Sequence, residues 1–244
     1  MPRLPHTHLQ PDSLPPDVVV CGDPARADFI ASLLDTAEKV ADKREYRTHR
    51  GSYRGRQMAV CSHGIGAPGA AIAFEELIAA GARRLVRVGT CGSLQDTVNT
   101  GDMVVATAAV QWTGYGREIT PSGFPAVADL NLTHALTQTP ADGNVHTGLV
   151  LTRDAFYAGL DSGHIPDYRA LADGGVLVVE MECAALFLIG QLRQVATGAL
   201  LAVDGNVFEH GEQMDSFDPT TAEVATAVDR AARLALDTLA ATAT

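Results

Sequence analysis

The chain has 244 residues, 46% of them apolar and 5% aromatic, with a formal net charge of −11 at neutral pH. That length buries a substantial core and suits one α/β domain, taken here as residues 1–244. A chain this acidic lacks the basic face of a nucleic-acid binder, so any anion it holds must be met by locally placed arginines.

Residues 1–16 are rich in proline and histidine and read as an extended arm. His6 and His8 alternate there without a third ligand, so no metal site is expected. No apolar stretch marks a signal peptide, and the run 176–190, broken by Glu180 and Glu182, is too short to span a bilayer. Cys21, Cys61, Cys91 and Cys183 lie too far apart for a zinc or disulfide framework; free thiols in a reducing cytoplasm are expected.

Residues 17–21 form a buried strand that runs into Gly22-Asp23-Pro24-Ala25-Arg26 and a helix to about residue 34. Asp23 suits the N-cap and Pro24 the first turn, and such a helix start offers amide donors to an anion, with Arg26 one turn in. Residues 39–53 alternate and carry Arg44, Arg47 and Arg50, which predicts extended hairpin strands with a solvated face. A strand over 57–62 leads through His63-Gly64-Ile65-Gly66-Ala67-Pro68-Gly69 into a helix over about 70–80. Gly64, Gly66 and Gly69 spell the dinucleotide fingerprint, but Pro68 sits inside the turn. The next strand also brings Arg87 where an acidic ribose ligand belongs.

That strand, residues 85–88, is buried and expected to end in a small-residue turn, Gly89-Thr90-Cys91-Gly92. A buried arginine has two explanations: an internal salt bridge with a core carboxylate, or an anion held at the strand's carboxyl end. Further strands are predicted at 102–108, 145–151, 176–181 and 199–203, with a loop around 112–125. Helices are predicted at about 129–138, 166–172, 182–194 and 220–240. Asp204-Gly205-Asn206 reads as a turn after the last strand.

Several apolar strands therefore end beside an ionisable residue: Asp23 with Arg26, Arg87 with Thr90, Glu180 with Glu182, and Asp204. Parallel strands would gather these ends along one cleft. Arginine forks match phosphate, and a carboxylate accepts from a pair of sugar hydroxyls. Either glutamate alone could be a helix cap; two together fit that role less well.

The segments Val20-Cys21-Gly22-Asp23-Pro24-Ala25-Arg26, His63-Gly64-Ile65-Gly66-Ala67-Pro68, Arg87-Val88-Gly89-Thr90-Cys91-Gly92-Ser93, Asp154-Ala155-Phe156-Tyr157 and Val179-Glu180-Met181-Glu182 resemble, in order, the hexameric nucleoside phosphorylase family. That family holds uridine phosphorylases and bacterial-type purine nucleoside phosphorylases. The resemblance implies a three-layer α/β/α domain with a central mixed sheet, and a homohexamer of dimers that shares its sites between subunits. It implies phosphate binding by Gly22, Arg26, Arg87 and Thr90, with Arg50 arriving from a neighbouring subunit. Met181 and Glu182 would hold the ribose, and an arm histidine, His8 or alternatively His6, would close its 5′ side. Cys91, Gly92 and Phe156 would line the base pocket, and Asp204 would protonate a purine leaving group.

The implied reaction is reversible phosphorolysis of a nucleoside to free base and ribose 1-phosphate, with inorganic phosphate as co-substrate and no cofactor. Two departures bear on the base. The uridine branch carries a glutamine and an arginine where this chain has Leu160 and Ser162. The purine branch supports its aspartate with an arginine, whereas none occurs between Asp204 and Arg230; Asn206, Glu209 or His210 are the substitutes at hand. Purine nucleosides are accordingly favoured over uridine. A phosphate-independent nucleosidase of the same fold and a binding module without turnover are the rivals.

Overall fold

The computed structural model describes residues 2–157, 159–160, 163–210 and 220–242. The apolar run 17–21 forms strand β1 (Asp17–Cys21), buried throughout, and turns into helix α1 (Pro24–Ser32). Asp23 caps that helix by accepting from the Ala25 amide at 2.9 Å. The arginine-rich stretch makes the antiparallel pair β2 (Thr36–Lys43) and β3 (Tyr46–Tyr53), with β4 (Arg56–Ser62) beside β3. Helix α2 (Ala67–Ala79) begins three residues earlier than expected, because Pro68 needs no amide partner in a first turn.

The chain continues through β5 (Arg84–Ser93), β6 (Met103–Trp112), a short α3 (Gly114–Ile119) inside the expected loop, and β7 (Ala126–Val127). Then come α4 (Leu130–Gln138), β8 (Val145–Arg153), α5 (Tyr168–Asp173) and β9 (Val176–Glu180). The last elements are α6 (Cys183–Arg193), β10 (Ala196–Asn206), α7 (Val207–His210) and α8 (Ala222–Ala241).

These strands make one mixed sheet. β1 runs parallel between β4 and β5, and β10 runs parallel to β5 and antiparallel to β6. Because β6 pairs β8, β8 pairs β9, and β9 returns antiparallel to β5, the strands β5, β10, β6, β8 and β9 close on themselves. Helices cover both faces. Phe74 and Leu77 of α2 and Leu186 and Phe187 of α6 pack on one side with Leu85; Ile30 of α1 and Leu234 and Leu236 of α8 pack on the other with Val86. Neighbouring residues of β5 thus point into opposite layers, as a pleated strand buried on both faces requires. Among the described residues no helix is long and apolar enough to cross a membrane.

Two expected turns are strand instead. Gly89-Thr90-Cys91-Gly92 continues β5, paired residue by residue with β10 from Leu201 to Gly205. Gly89 is needed for space: a Cβ there would collide with the Arg87 guanidinium, which folds back over it. Asp204-Gly205-Asn206 is likewise part of β10, but the register jumps from Val203 opposite Cys91 to Gly205 opposite Gly92. Asp204 is the extra residue of a β-bulge, a device that re-aims a side chain near a site.

The arm also differs from expectation, being docked rather than extended into solvent. Glu76 of α2 accepts from the backbone amides of His6 and Thr7 and from the Thr7 hydroxyl, and pairs with His6 Nδ1 at 2.7 Å. Leu9 and Leu14 are buried behind it. A partly buried carboxylate with that many donors is well compensated, and it anchors the arm on the α2 surface.

Candidate active site

The carboxyl ends of β1, β5 and β10, together with the β9–α6 junction, surround a cavity of about 720 Å³. Gly22, Arg26, Arg87, Thr90, Met181 and Glu182 line it, as do Cys91, Gly92, Phe156 and Asp204. Residues far apart in sequence therefore meet in one chain, with two exceptions. Arg50 lies outside this cavity, donating to Glu38 at 2.5 Å and to the Ser13 carbonyl at 3.3 Å. His8 is exposed on the docked arm, with a left-handed φ of 60°, while its rival His6 is engaged by Glu76.

Arg87 meets the first explanation of a buried arginine and still faces the cavity that the second would need. Only 4% exposed, it donates to Glu180 at 3.2 Å and to Glu182 at 2.5 Å, yet it still lines the cavity. Burial works against its charge, but Glu182 and then Glu180 outweigh that and push its pKa above the ordinary arginine value. Arg26 faces the same space from α1, and burial lowers its pKa, with Arg87 adding to the effect. Two arginines facing one cavity invite an anion between them.

The two glutamates divide their labour. Glu180 is the helix cap: its carboxylate accepts from the amides of Glu182 at 2.7 Å and Cys183 at 2.9 Å, and from the Thr152 hydroxyl at 2.5 Å. Glu182 occupies the N-cap position of α6 without making a side-chain capping bond. It is held instead by Arg87 and by the Gly66 amide at 2.5 Å. Gly66 has φ = 92°, so the glycine fingerprint supplies a left-handed residue that aims an amide at a carboxylate. Burial raises the Glu182 pKa; Arg87 opposes that rise and Glu180 adds to it.

Asp204 stands on its bulge beside Thr90. Burial pushes its pKa from 3.8 to about 7, against the opposing pull of a hydrogen bond with Thr90. Near neutral pH a large fraction of this carboxyl is therefore protonated and able to donate. Behind the cavity, His63 is buried, with Nδ1 bonded to the Gly64 carbonyl at 2.9 Å; burial and then Arg87 hold its pKa well below the ordinary value. Because a carbonyl only accepts, the proton of this neutral ring sits on Nδ1.

The cavity wall includes residues the sequence reading did not assign: Glu45 from the β2–β3 turn, Arg153 at the end of β8, and Tyr168 of α5. Arg153 is buried and donates to the Tyr168 hydroxyl. It carries the signal used for Arg87, an ionisable residue closing an apolar strand. Glu45 has no such signal, since only the pairing of β3 with β2 and β4 brings the β2–β3 turn to the cavity wall. Leu160, where the uridine branch carries its glutamine, is 93% exposed and outside the cavity. Ser162 and the side chain of His210 lie outside what the structure describes.

Comparison with known proteins shows the family to which the chain belongs. The family model described as the phosphorylase superfamily matches residues 16–240. A guanosine phosphorylase of Halorubrum lacusprofundi is 36% identical over 244 residues, which is 99% of this chain and all of that protein. A uridine phosphorylase of Thermococcus kodakarensis is 38% identical over 212 residues, 82% of this chain and 76% of that one. Among solved structures, a purine nucleoside phosphorylase of Toxoplasma gondii superposes with a TM-score of 0.91 at 34% identity, over 99% of this chain and 96% of that chain.

Proposed function

On the premise that the chain belongs to the phosphorylase superfamily and is a nucleoside phosphorylase, we propose that it phosphorolyses purine nucleosides to free base and ribose 1-phosphate. The observation that carries the purine assignment is Asp204, in the cavity and raised to about 7. A purine leaves as an anion unless its ring nitrogen receives a proton, and a carboxyl poised near the working pH is the efficient donor. The positions that read the uracil edge in the uridine branch are not reproduced: Leu160 is exposed and cannot imitate a glutamine.

In this scheme phosphate sits against the start of α1, at Gly22, Arg26, Arg87 and Thr90. One phosphate oxygen attacks C1′ while the glycosidic bond breaks through a cationic, oxocarbenium-like sugar. The electron pair of that bond leaves with the base, and Asp204 supplies the proton. Glu182 accepts from the ribose hydroxyls, and Arg87, bound to Glu182 on one side, keeps that carboxylate and the phosphate from repelling each other. Met181 covers the sugar, and Cys91, Gly92 and Phe156 flank the base.

His8 and Arg50, exposed and outside their own cavity, complete a neighbouring subunit's site in a hexamer of dimers. A cytoplasmic location and independence of any cofactor belong to the same proposal. The test is a panel of inosine, guanosine, adenosine, uridine and thymidine, with and without phosphate. Base release confined to purine nucleosides plus phosphate is expected. Equal release without phosphate would mean a nucleosidase, and a preference for uridine would remove the purine assignment. Sedimentation alongside the assay tests the hexamer.

A further inference from the structure

Asn206 lines the cavity two residues beyond Asp204. The bulge at Asp204 turns its side chain into the same cavity, so Asp204 and Asn206 face one space from either side of Gly205. The orientation of the Asn206 amide is set by chemistry. Its Oδ1 lies 2.9 Å from the Phe208 backbone nitrogen at the start of α7. An N–H can only donate, so the atom meeting it is the oxygen, and the NH2 group is what the side chain presents elsewhere. Asp204, carrying its proton, is a donor too. Two donors thus line one cavity, one a carboxyl and one an amide.

We propose that Asn206 is a specificity residue that selects 6-oxopurines, its amide NH2 donating to O6 while Asp204 protonates N7. This deepens the purine phosphorylase assignment and rests on it. A 6-oxopurine presents N7 and O6 as adjacent acceptors, whereas adenine presents N7 as an acceptor and N6 as a donor. The pair therefore fits hypoxanthine and guanine and sets donor against donor with adenine. Uracil separates its two carbonyls by an N–H, so it offers no adjacent pair of acceptors. A site that hydrogen-bonds a particular group discriminates sharply, because the wrong substrate leaves buried polar atoms unpaired.

The experiment measures kcat/KM for inosine and adenosine, with phosphate, in the wild type and in Asn206→Asp. The carboxylate of the variant still accepts from the Phe208 amide, so the cap on α7 persists, but the group facing the base becomes an acceptor. The wild type is expected to prefer inosine by about 10–100-fold, the discrimination of one good hydrogen-bonded pair. The variant's inosine-to-adenosine ratio should fall by at least about tenfold. Equal cleavage of inosine and adenosine by the wild type would overturn the assignment, as would a variant that loses both substrates in proportion, which marks a purely structural role. If Asn206→Asp does not fold, calorimetric binding of hypoxanthine against adenine to the wild type decides: adenine bound as tightly overturns it. Phosphate-dependent cleavage with an unchanged ratio removes only the role of Asn206. The absence of phosphate-dependent cleavage of any nucleoside removes the purine phosphorylase assignment and this one together.

Discussion

Asp204→Asn should stabilise the protein while disabling it. The carboxyl is partly buried, and desolvation raises its pKa to about 7 in the folded chain, against 3.8 when unfolded. Between these values the unfolded chain releases a proton that the native state keeps, so unfolding is increasingly favoured as pH rises. The wild type therefore loses stability from about pH 4 to about pH 7 and levels off above. A shift of roughly three units corresponds to at most ~4 kcal/mol at ~1.4 kcal/mol per unit. Asparagine has nothing to ionise and escapes this cost. Urea unfolding of both proteins should show a stability gap in favour of the variant that widens by about 2–3 kcal/mol between pH 5 and pH 8. Over the same pH range purine cleavage by the wild type should fall as Asp204 loses its proton, and the variant should be slower by ~10²–10⁴-fold. A gap that stays constant from pH 5 to pH 8 would refute the raised carboxyl and, with it, the reason for choosing Asp204 as the acid.

Two further substitutions probe the arginine. Arg87→Ala removes the cation shared by two buried carboxylates, so stability should drop by about 3–5 kcal/mol along with loss of phosphate-dependent turnover; denaturant titration showing wild-type stability would mean that the glutamates find other partners. Gly89→Ala removes no charge, but its methyl group occupies the place of the folded-back guanidinium. The KM for phosphate should rise, by as much as ~10²-fold for a displacement of about 1 Å. An unchanged KM would separate the resting position of Arg87 from its phosphate-binding position.

The order of strands and helices was legible because each apolar run is bounded by a glycine turn or a capping residue. Asp17–Cys21 with its Asp23 cap is the clearest case, since local donors and acceptors decide it. The candidate residues were legible for a related reason: an ionisable side chain at the end of an apolar strand is costly unless something meets it. Arg87, Glu182 and Asp204 all carry that mark.

Pairing between strands was not legible, and the misreadings follow from that. Gly89-Thr90-Cys91-Gly92 has the composition of a turn, but β10 on its flank supplies a partner for each residue and keeps it extended. Asp204-Gly205-Asn206 is turn-like for the same reason, and only the register with β5 reveals a bulge. The docked arm depends on Glu76, some seventy residues away, which no local pattern connects to His6 and Thr7.

The sequence by itself determined the elements and the chemical types at their ends, because hydrophobic period, caps and charge are local properties. Tertiary structure decided what each end does. It made Glu180 the cap and left Glu182 facing the cavity, and it gave Arg87 two carboxylates as well as a place in the wall. It also turned the Asn206 oxygen toward α7, which directs its NH2 elsewhere. A polar group has only a few protons and lone pairs to share, and which partners take them is a question of proximity in space.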